Sequence, residues 1–404
     1  MNVFGIDYQR TLSVICLREG HNAHDSPHSV GDGLRTVIPN VVLGNKLWGS
    51  RALLSAELGR LSGSEALAEE PWLDEPGAAL FWGGLYQRLF SYIGRVRPTM
   101  EGGYQIVVGI QAADYQVAVN GVEQVCRTAG LNDTMYIPAT DAVLCRWMVE
   151  QTTLEEREYL VTAVAVGDTS VLVRAYCIQC ATGRSPQIVT AGEPVCLPRT
   201  GLAWWVMRTL ELVHSRFNEP IPLGHELALR DAVIEFGAQL SRSGPSREVE
   251  WTGLFREHMY TPPKLTLRDC KAWPEVANLH LALPTAIQDT TIAVGGRAKP
   301  DLVILGGVGG VWPFAGIIIA TAEPKLKVWQ SHNPLEDVAR GATWWPLVET
   351  ANMGQLWKKS LLAPSRVADD PDRVAQPSVE PEAPRADLDR GILPPWKRRD
   401  LLGF

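Results

Sequence analysis

The chain has 404 residues, a formal net charge of −7, 46% hydrophobic residues and 21% charged residues. This composition is typical of globular proteins and excludes a wholly disordered or fibrous chain, while the length predicts two or three compact units. The acidic balance argues against a general nucleic-acid-binding protein, because no broad basic face is available to displace counterions.

The first residues and the cysteine content indicate a reducing compartment. Asp7 and Arg10 interrupt the apolar run that a secretory signal peptide needs. Seven cysteines, an odd number scattered along the chain, do not resemble a disulfide framework. We therefore expect a cytoplasmic protein.

The first half of the sequence predicts a β-hairpin followed by alternating strands and helices. Residues 3–17 are apolar and β-branched around a polar bend at 7–11, which is typical of a hairpin. The elements predicted after it are an extended run at 36–43, helical spacing within 51–95, strands at 106–110 and 135–137, and helices at 117–130 and 142–150.

The second half repeats this plan. Residues 159–178 again form two apolar segments around a Gly-Asp-Thr-Ser bend. The elements predicted after it are helices at 201–217 and 224–241, a buried strand at 302–305 and closing helices within 334–362.

Residues 302–322 carry no charge and are long enough to span a bilayer. Five glycines and Pro313 interrupt the segment, which favours a buried strand, a glycine turn and the start of a buried helix. The membrane span is the alternative that stays open at this point.

Two pairs of adjacent tryptophans lie on helix-like stretches, at 204–205 and 344–345. Neighbouring helical residues point about 100° apart, so we expect one tryptophan of each pair at a surface. Aromatic side chains concentrate at binding hot spots, which is a mild argument for a protein partner.

The composition changes at Pro364. Residues 364–391 are proline-rich and lack apolar periodicity, which predicts a disordered linker. Residues 392–404 place apolar side chains around a basic cluster, a pattern typical of a recognition peptide or a weak membrane-surface anchor. A tail that folds back on the body is the alternative to partner docking. The partner-binding residues predicted here are Trp396, Arg398, Leu401, Leu402 and Phe404.

Three further motifs have simpler structural explanations. Residues 307–312 half-resemble a dinucleotide-binding fingerprint but lack its last glycine. The CxxC at 177–180 lacks the further ligands that a zinc site needs. The polar segment that carries His21, His24 and His28 fits a solvated loop better than a metal site.

Four ordered segments carry a resemblance to a known family. They are residues 5–13, 35–52, 302–313 and 333–342, with two weaker similarities at 129–147 and 163–173. Together they resemble the nucleotide-binding domain of DnaK-type heat-shock chaperones, in the actin-like ATPase superfamily, over roughly residues 1–362. The chain after position 362 is too short for that family's peptide-binding domain, which we therefore expect to be absent.

The resemblance implies an α/β fold, the actin-like ATPase fold. It has two lobes around a central cleft, each with a mixed sheet that is led by a β-hairpin and flanked by helices. Lobe I would span 1–158, lobe II 159–332, the closing helices 333–362, and the proline-rich tail 363–404.

The resemblance also implies where ATP or ADP with Mg²⁺ would bind. The family holds phosphates on backbone N–H groups of two hairpin bends, positions Mg²⁺ with carboxylates, and holds adenosine against a glycine turn. The cofactor-binding residues would be Gly5, Gln9, Arg10, Thr11, Gly167, Thr169, Ser170, Gly306, Gly307, Gly309 and Gly310. Asp7 matches the carboxylate of the first loop, whereas Asp168 and Asp141 lie close to the other two carboxylate positions and would act only with a shifted register. The catalytic carboxylates would then be Asp7, Asp141 and Asp168, and Asp7 and Asp168 would also hold Mg²⁺ if nucleotide binds.

Several positions depart from the family pattern. Gln9 stands where the family has glycine, and Arg10 stands where it has a small hydroxyl residue. The carboxylate of the second loop falls on Ala165, the glutamate of the connecting segment falls on Pro138, and the first lobe has no lysine after Lys46. Such losses each cost orders of magnitude in rate, so we expect a slow or inactive ATPase.

The function expected from these features is that of a DnaK-like binding or assembly factor with weak or lost nucleotide binding. A protein partner would be recruited by the C-terminal peptide or by a lobe surface. An active magnesium-dependent ATPase with shifted catalytic residues and an actin-like filament protein are the alternatives. We expect no nucleic-acid partner and no transmembrane segment, while peripheral membrane contact stays open.

Overall fold

The computed structural model describes residues 2–19, 26–43, 47–57, 64–66, 75–96, 104–131, 134–150, 155–181, 186–215, 253–255, 258–260 and 265–349, together with parts of 233–240. The predictions for the linker, the partner-binding peptide, residues 350–362, and His21 and His24 lie outside the described residues. Most of the helix predicted at 224–241 also lies outside them.

The predicted N-terminal hairpin forms the centre of the first sheet. β1 (Asn2–Tyr8) and β2 (Leu12–Arg18) pair antiparallel, and every residue of both strands is buried. The order across the sheet is β3 (His28–Ser29), β2, β1, β8 (Tyr104–Ile110) and β9 (Thr134–Pro138), while β4 (Val37–Pro39) pairs with β2 outside this path. β1, β8 and β9 run parallel to one another.

The other described elements of the first half are a small sheet and four helices. They are β5 (Val41–Leu43), β6 (Leu47–Trp48), β7 (Ser64–Ala66), α1 (Gly49–Glu57), α2 (Glu75–Val96), α3 (Tyr115–Thr128) and α4 (Ala139–Glu150). The predicted helix at 117–130 is confirmed as α3. Asp114 caps its first turn by accepting a hydrogen bond from the Val117 N–H at 3.0 Å.

The second hairpin forms the centre of the second sheet. β10 (Glu158–Val166) and β11 (Ser170–Gln179) pair antiparallel. The order across the sheet is β12 (Gln187–Thr190), β11, β10, β16 (Leu302–Gly306) and β17 (Lys327–Gln330), while β13 (Val195–Pro198) pairs with β11 outside this path. β14 (Gly253–Phe255) and β15 (His258–Tyr260) form a separate antiparallel pair.

The two sheets share one strand plan. In each, a hairpin has a short antiparallel strand on one side and two parallel strands on the other, and one more short strand pairs with the second hairpin strand. The predicted half-chain repeat is therefore confirmed, and the architecture is a mixed α/β arrangement built on two such sheets.

The described helices of the second half range from four to 22 residues. They are α5 (Leu202–His214), α6 (Leu267–Cys270), α7 (Pro274–Gly295), α8 (Phe314–Ala322), α9 (Asp337–Ala342) and α10 (Trp345–Glu349). Residues 302–322 form β16, a 3-10 turn and α8, as the strand–turn–helix interpretation predicted. Across the part of the chain that the structure describes, no helix is both long and apolar enough to cross a membrane.

Helices α4 and α9 cross between the two sheets. α4 follows the last parallel strand of the first sheet and packs on the second sheet, while α9 follows the second sheet and packs on the first. A Cβ atom at Gly341 would collide with the carbonyl oxygen of Ala142, so this crossing requires glycine. The exchange of helices holds the two sheets, and therefore the two hairpins, in a fixed relation.

The adjacent tryptophans divide as predicted. Trp205 and Trp344 are fully buried, whereas Trp204 and Trp345 are half-buried. Trp205 packs edge-on against Phe314, with ring centroids 5.0 Å apart, in the core behind the second sheet.

Candidate functional site

The bends of the two hairpins are the predicted phosphate loops. In the first bend the Gln9 N–H donates to the Leu12 carbonyl oxygen at 3.1 Å. In the second the Gly167 N–H donates to the Ser170 carbonyl oxygen at 2.9 Å. Each bend therefore has two residues at its tip, and the two tips lie in matching positions of the two sheets.

Gln9 joins the two bends. Its Nε2 donates to Asp7 Oδ1 at 2.6 Å, and its Oε1 accepts from the Asp168 N–H at 3.1 Å. All three residues are buried. Glycine, the residue that the resemblance predicts at position 9, has no side chain to make either bond, so this departure provides one of the connections between the halves.

Asp168 makes a second connection between the bends. Its Oδ2 accepts from the Thr11 N–H at 2.5 Å. Backbone N–H groups in such bends are the donors that bind phosphate oxygens. Here the N–H groups of Thr11 and Asp168 donate to side-chain oxygens of the opposite bend.

Asn40 holds the first bend from behind. Its Nδ2 donates to the Gln9 carbonyl oxygen, its Oδ1 accepts from Ser13 Oγ at 2.8 Å, and its N–H donates to the Thr11 carbonyl oxygen at 2.9 Å. Asn40 is fully buried and follows β4 directly. These bonds fix the conformation in which Gln9 and Thr11 meet Asp168.

Gln111 binds the second hairpin from the other side. It follows β8, and its Nε2 donates to the carbonyl oxygens of Ala165 and Ser170, each at 3.0 Å. A Cβ atom at Gly167 would overlap the Gln111 side chain, so glycine there makes room for this glutamine. Two glutamines from the first half thus bind the second hairpin.

Asp7 is fully buried beneath the first bend. Burial raises its pKa to about 7; the hydrogen bond from Gln9 lowers the pKa, and the negative charges of Asp168 and Asp337 raise it. Asp7 Oδ2 has no hydrogen-bond partner among the described residues.

A third buried carboxyl, Asp337, lies near Asp7 at the start of α9. Burial raises its pKa to about 7, while the hydrogen bond from Ser331 and the charge of Arg146 lower it. A Cβ atom at Gly306 would come within 2.9 Å of Asp337 Oδ2. The glycine predicted to face adenosine therefore faces an acidic side chain of the closing segment.

Asp141 belongs to a separate cluster. Its Oδ1 and Oδ2 accept from Arg174 Nη1 at 3.1 and 3.4 Å, and its Oδ1 also accepts from the Tyr176 hydroxyl at 2.5 Å. Burial raises the pKa of Asp141, and these two partners lower it. Asp141 was predicted to act with Asp7 and Asp168, but its hydrogen bonds and ion pair join it to β11 instead.

The predicted adenosine turn is packed with protein atoms. Gly306, Gly307, Gly309 and Gly310 are all buried. Gly307 has φ of +91°, and a Cβ atom there would lie within 2.6 Å of the Val166 carbonyl oxygen. Glycine is therefore required at position 307 for the close approach of the chain to itself.

The other predicted ligand residues also have protein partners or are buried. The Thr169 carbonyl oxygen accepts from Trp204 Nε1 at 3.1 Å, and Ser170 is buried. Gly5 lies within β1, where its missing side chain makes room for the Ala339 carbonyl oxygen of α9. Arg10 is half-buried and lines a cavity beside the bends.

That cavity is small. It measures about 70 Å³ and lies between the first bend with β4 on one side and α5 on the other. Sites for small-molecule ligands usually measure about 300–1,000 Å³. The cavity that the described residues form beside the bends is therefore smaller than a typical small-molecule site.

Sequence reasoning missed Asn40, Gln111 and Asp337. Asn40 and Gln111 each directly follow an apolar strand, and Asp337 lies in the closing segment that resembles the family most. A polar residue directly after a predicted buried strand is the sequence signal that would have identified Asn40 and Gln111.

No group of three or more histidine, cysteine, aspartate and glutamate side chains suited to a metal ion exists among the described residues. No protein-family model matches the chain, and no curated protein matches it significantly in sequence. The geometry of the bends is therefore the basis for the functional argument.

Proposed function

We propose that this chain has the actin-like ATPase fold of DnaK-type chaperones and works as a protein-binding or assembly factor, not as an ATPase. Its two hairpin bends bind each other where a nucleotide would lie in that fold. The observation that carries the proposal is the bridge from Asp7 through Gln9 to the Asp168 N–H, together with the bond from the Thr11 N–H to Asp168.

Entry of a nucleotide would be costly. Phosphate would have to displace the Asp168 carboxylate from the Thr11 N–H and the Gln9 amide from the Asp168 N–H. Each buried polar group that loses its partner costs about 1–3 kcal/mol unless the ligand replaces the bond.

The crossing of α4 and α9 also opposes opening of the cleft. Each helix packs on the sheet of the other half, and Gly341 lies against the backbone of Ala142. A hinge motion that separates the bends would have to disturb this contact. The two halves therefore form one body that can present fixed surfaces to a partner.

A thermal-melt titration with ATP and ADP, each with and without Mg²⁺, tests the proposal. A ligand at about a hundredfold excess over its Kd stabilises the folded state by about 2.7 kcal/mol, so a site of useful affinity is easily detected. We expect no change in melting temperature at millimolar nucleotide. A magnesium-dependent rise, with phosphate release that Asp7→Asn abolishes, would contradict the proposal and favour the active ATPase.

The variant Gln9→Gly sharpens this test because it restores the family residue. We expect it to melt at a lower temperature than the natural chain, since both bonds of the bridge are lost. A nucleotide-dependent rise in Gln9→Gly but not in the natural chain would support the bridge as the feature that excludes nucleotide.

A further inference from the structure

An apolar groove lies between helices α7 and α8, and it is independent of the hairpin bends. Its volume is about 400 Å³. Buried side chains of Leu267, Val276, Phe314 and Ile318 line it together with the exposed side chain of Leu281. This volume is within the range of small binding sites and is large enough to receive side chains of a partner.

The groove is built from the apolar faces of two helices. On α7, Ala277 and Leu281 are four residues apart, and on α8, Phe314, Ile317 and Ile318 have i, i+3, i+4 spacing. Such residues lie on one face of a helix. Two apolar faces side by side form the surface onto which a third amphipathic helix packs.

Leu281 is the clearest sign of an apolar surface that the described residues leave open. Its relative exposure is 74%, the highest among the large hydrophobic side chains of the described residues. A single exposed leucine is common on protein surfaces. This one stands at the edge of an apolar groove, where a bound helix would cover it.

The charge of the side chains that line the groove favours an acidic partner. Among the described residues that line the groove, Lys271 and His280 are the only ionisable ones, and both are exposed. The chain as a whole carries a net charge of −7, whereas the charged side chain that lines the groove, Lys271, is positive. The segment 392–404 carries Lys397, Arg398 and Arg399 and would meet Lys271 as a like charge.

We propose that the α7–α8 groove binds an amphipathic helix of another protein. Apolar side chains of that helix enter the groove and cover Leu281, and its acidic side chains face Lys271. This proposal stands whether or not the hairpin bends exclude nucleotide, because it depends on the outer helices alone.

Two labelled peptide probes test the proposal by fluorescence anisotropy with the full chain. Both are amphipathic helices of 16 residues with leucines on one face; one carries glutamates on the other face, and the second carries lysines at the same positions. We expect the acidic probe to bind about fivefold more tightly at low salt, with a smaller ratio at high salt. The variant Lys271→Glu should reverse this preference.

Leu281→Glu should weaken the acidic probe about tenfold or more, because it places a charge in the apolar contact. Ile292→Glu is the matched control: it adds the same charge to the same helix, at a residue that is 44% exposed and does not line the groove. We expect the control to bind the probe like the natural chain. Both positions are exposed, so neither variant should prevent folding.

Several results would overturn the proposal. The proposal fails if neither probe binds, or if the variants Leu281→Glu and Ile292→Glu bind the acidic probe equally well. If a peptide of residues 392–404 binds more tightly than the acidic probe, the tail is the occupant. If the chain forms a dimer that Leu281→Glu dissociates, a second copy is the occupant. If phosphatidylserine vesicles bind instead of the probe, and Leu281→Glu weakens their binding, the groove is a membrane contact.

Discussion

Replacement of Gln9 by methionine isolates the bridge between the hairpins. Methionine has nearly the same length and volume as glutamine, so the change removes hydrogen bonding with little loss of packing. Asp7 Oδ1 loses the donor at 2.6 Å, and the Asp168 N–H loses the acceptor at 3.1 Å. Both groups are buried, so water does not replace the bonds. At about 1–3 kcal/mol for each of the two unpaired groups, Gln9→Met should lower the free energy of unfolding by about 2–6 kcal/mol.

Urea denaturation followed by circular dichroism measures this loss. The matched control is Gln116→Met, because Gln116 is exposed on α3 and makes only an exposed bond to Asn120 at 3.0 Å. We expect the control to stay within about 0.5 kcal/mol of the natural chain. If Gln9→Met is as stable as Gln116→Met, the bridge contributes nothing and the reasoning about the bends is refuted.

Three further predictions concern buried charge and close packing. A carboxyl group whose pKa is higher in the folded state than in the unfolded state contributes stability that is fully present at a pH below its unfolded-state pKa. This contribution is lost as the pH rises through the folded-state pKa. With the pKa of Asp7 at about 7, its contribution should fall by about 2 kcal/mol between pH 5.5 and pH 8, and Asp7→Asn should remove this part of the pH dependence in urea titrations. Arg174→Met leaves the Asp141 carboxylate without its ion pair and should cost about 3 kcal/mol, whereas an unchanged urea midpoint would show that the pair is not needed. Gly341→Ala should prevent stable folding because the added Cβ atom would collide with the backbone of Ala142. The control Gly83→Ala adds a Cβ atom that meets no atom within 4 Å, and it should stabilise α2 by about 0.5–1 kcal/mol. Equal melting temperatures of the two variants would contradict the close crossing of α4 and α9.

The hairpins and the half-chain repeat were predictable because their signal is local. β1 and β2 are buried along their whole length, so the sequence shows two apolar runs around a polar bend. The second hairpin gives the same pattern, and turn chemistry places both bends correctly. The strand, turn and helix at 302–322 were predictable for the same reason, since glycines interrupt an apolar run there.

The partners of the predicted site residues were not predictable from local pattern. A glycine indicates that something approaches the backbone closely, but it does not indicate what approaches. At Gly5 it is the backbone of α9, and at Gly167 it is the side chain of Gln111. Gln9 and Asp168 are far apart in sequence, so only the packing of the two sheets brings them together.

Hydrogen exchange at the two bends tests the central claim most directly. The N–H groups of Thr11 and Asp168 should be protected in the protein without any ligand, because each donates to a buried side chain of the opposite bend. Mass spectrometry of peptides that cover 8–13 and 166–171 should show this protection, and addition of ATP or ADP with Mg²⁺ should leave it unchanged. Rapid exchange in the free protein that slows only when a nucleotide is added would show that the bends bind phosphate and not each other.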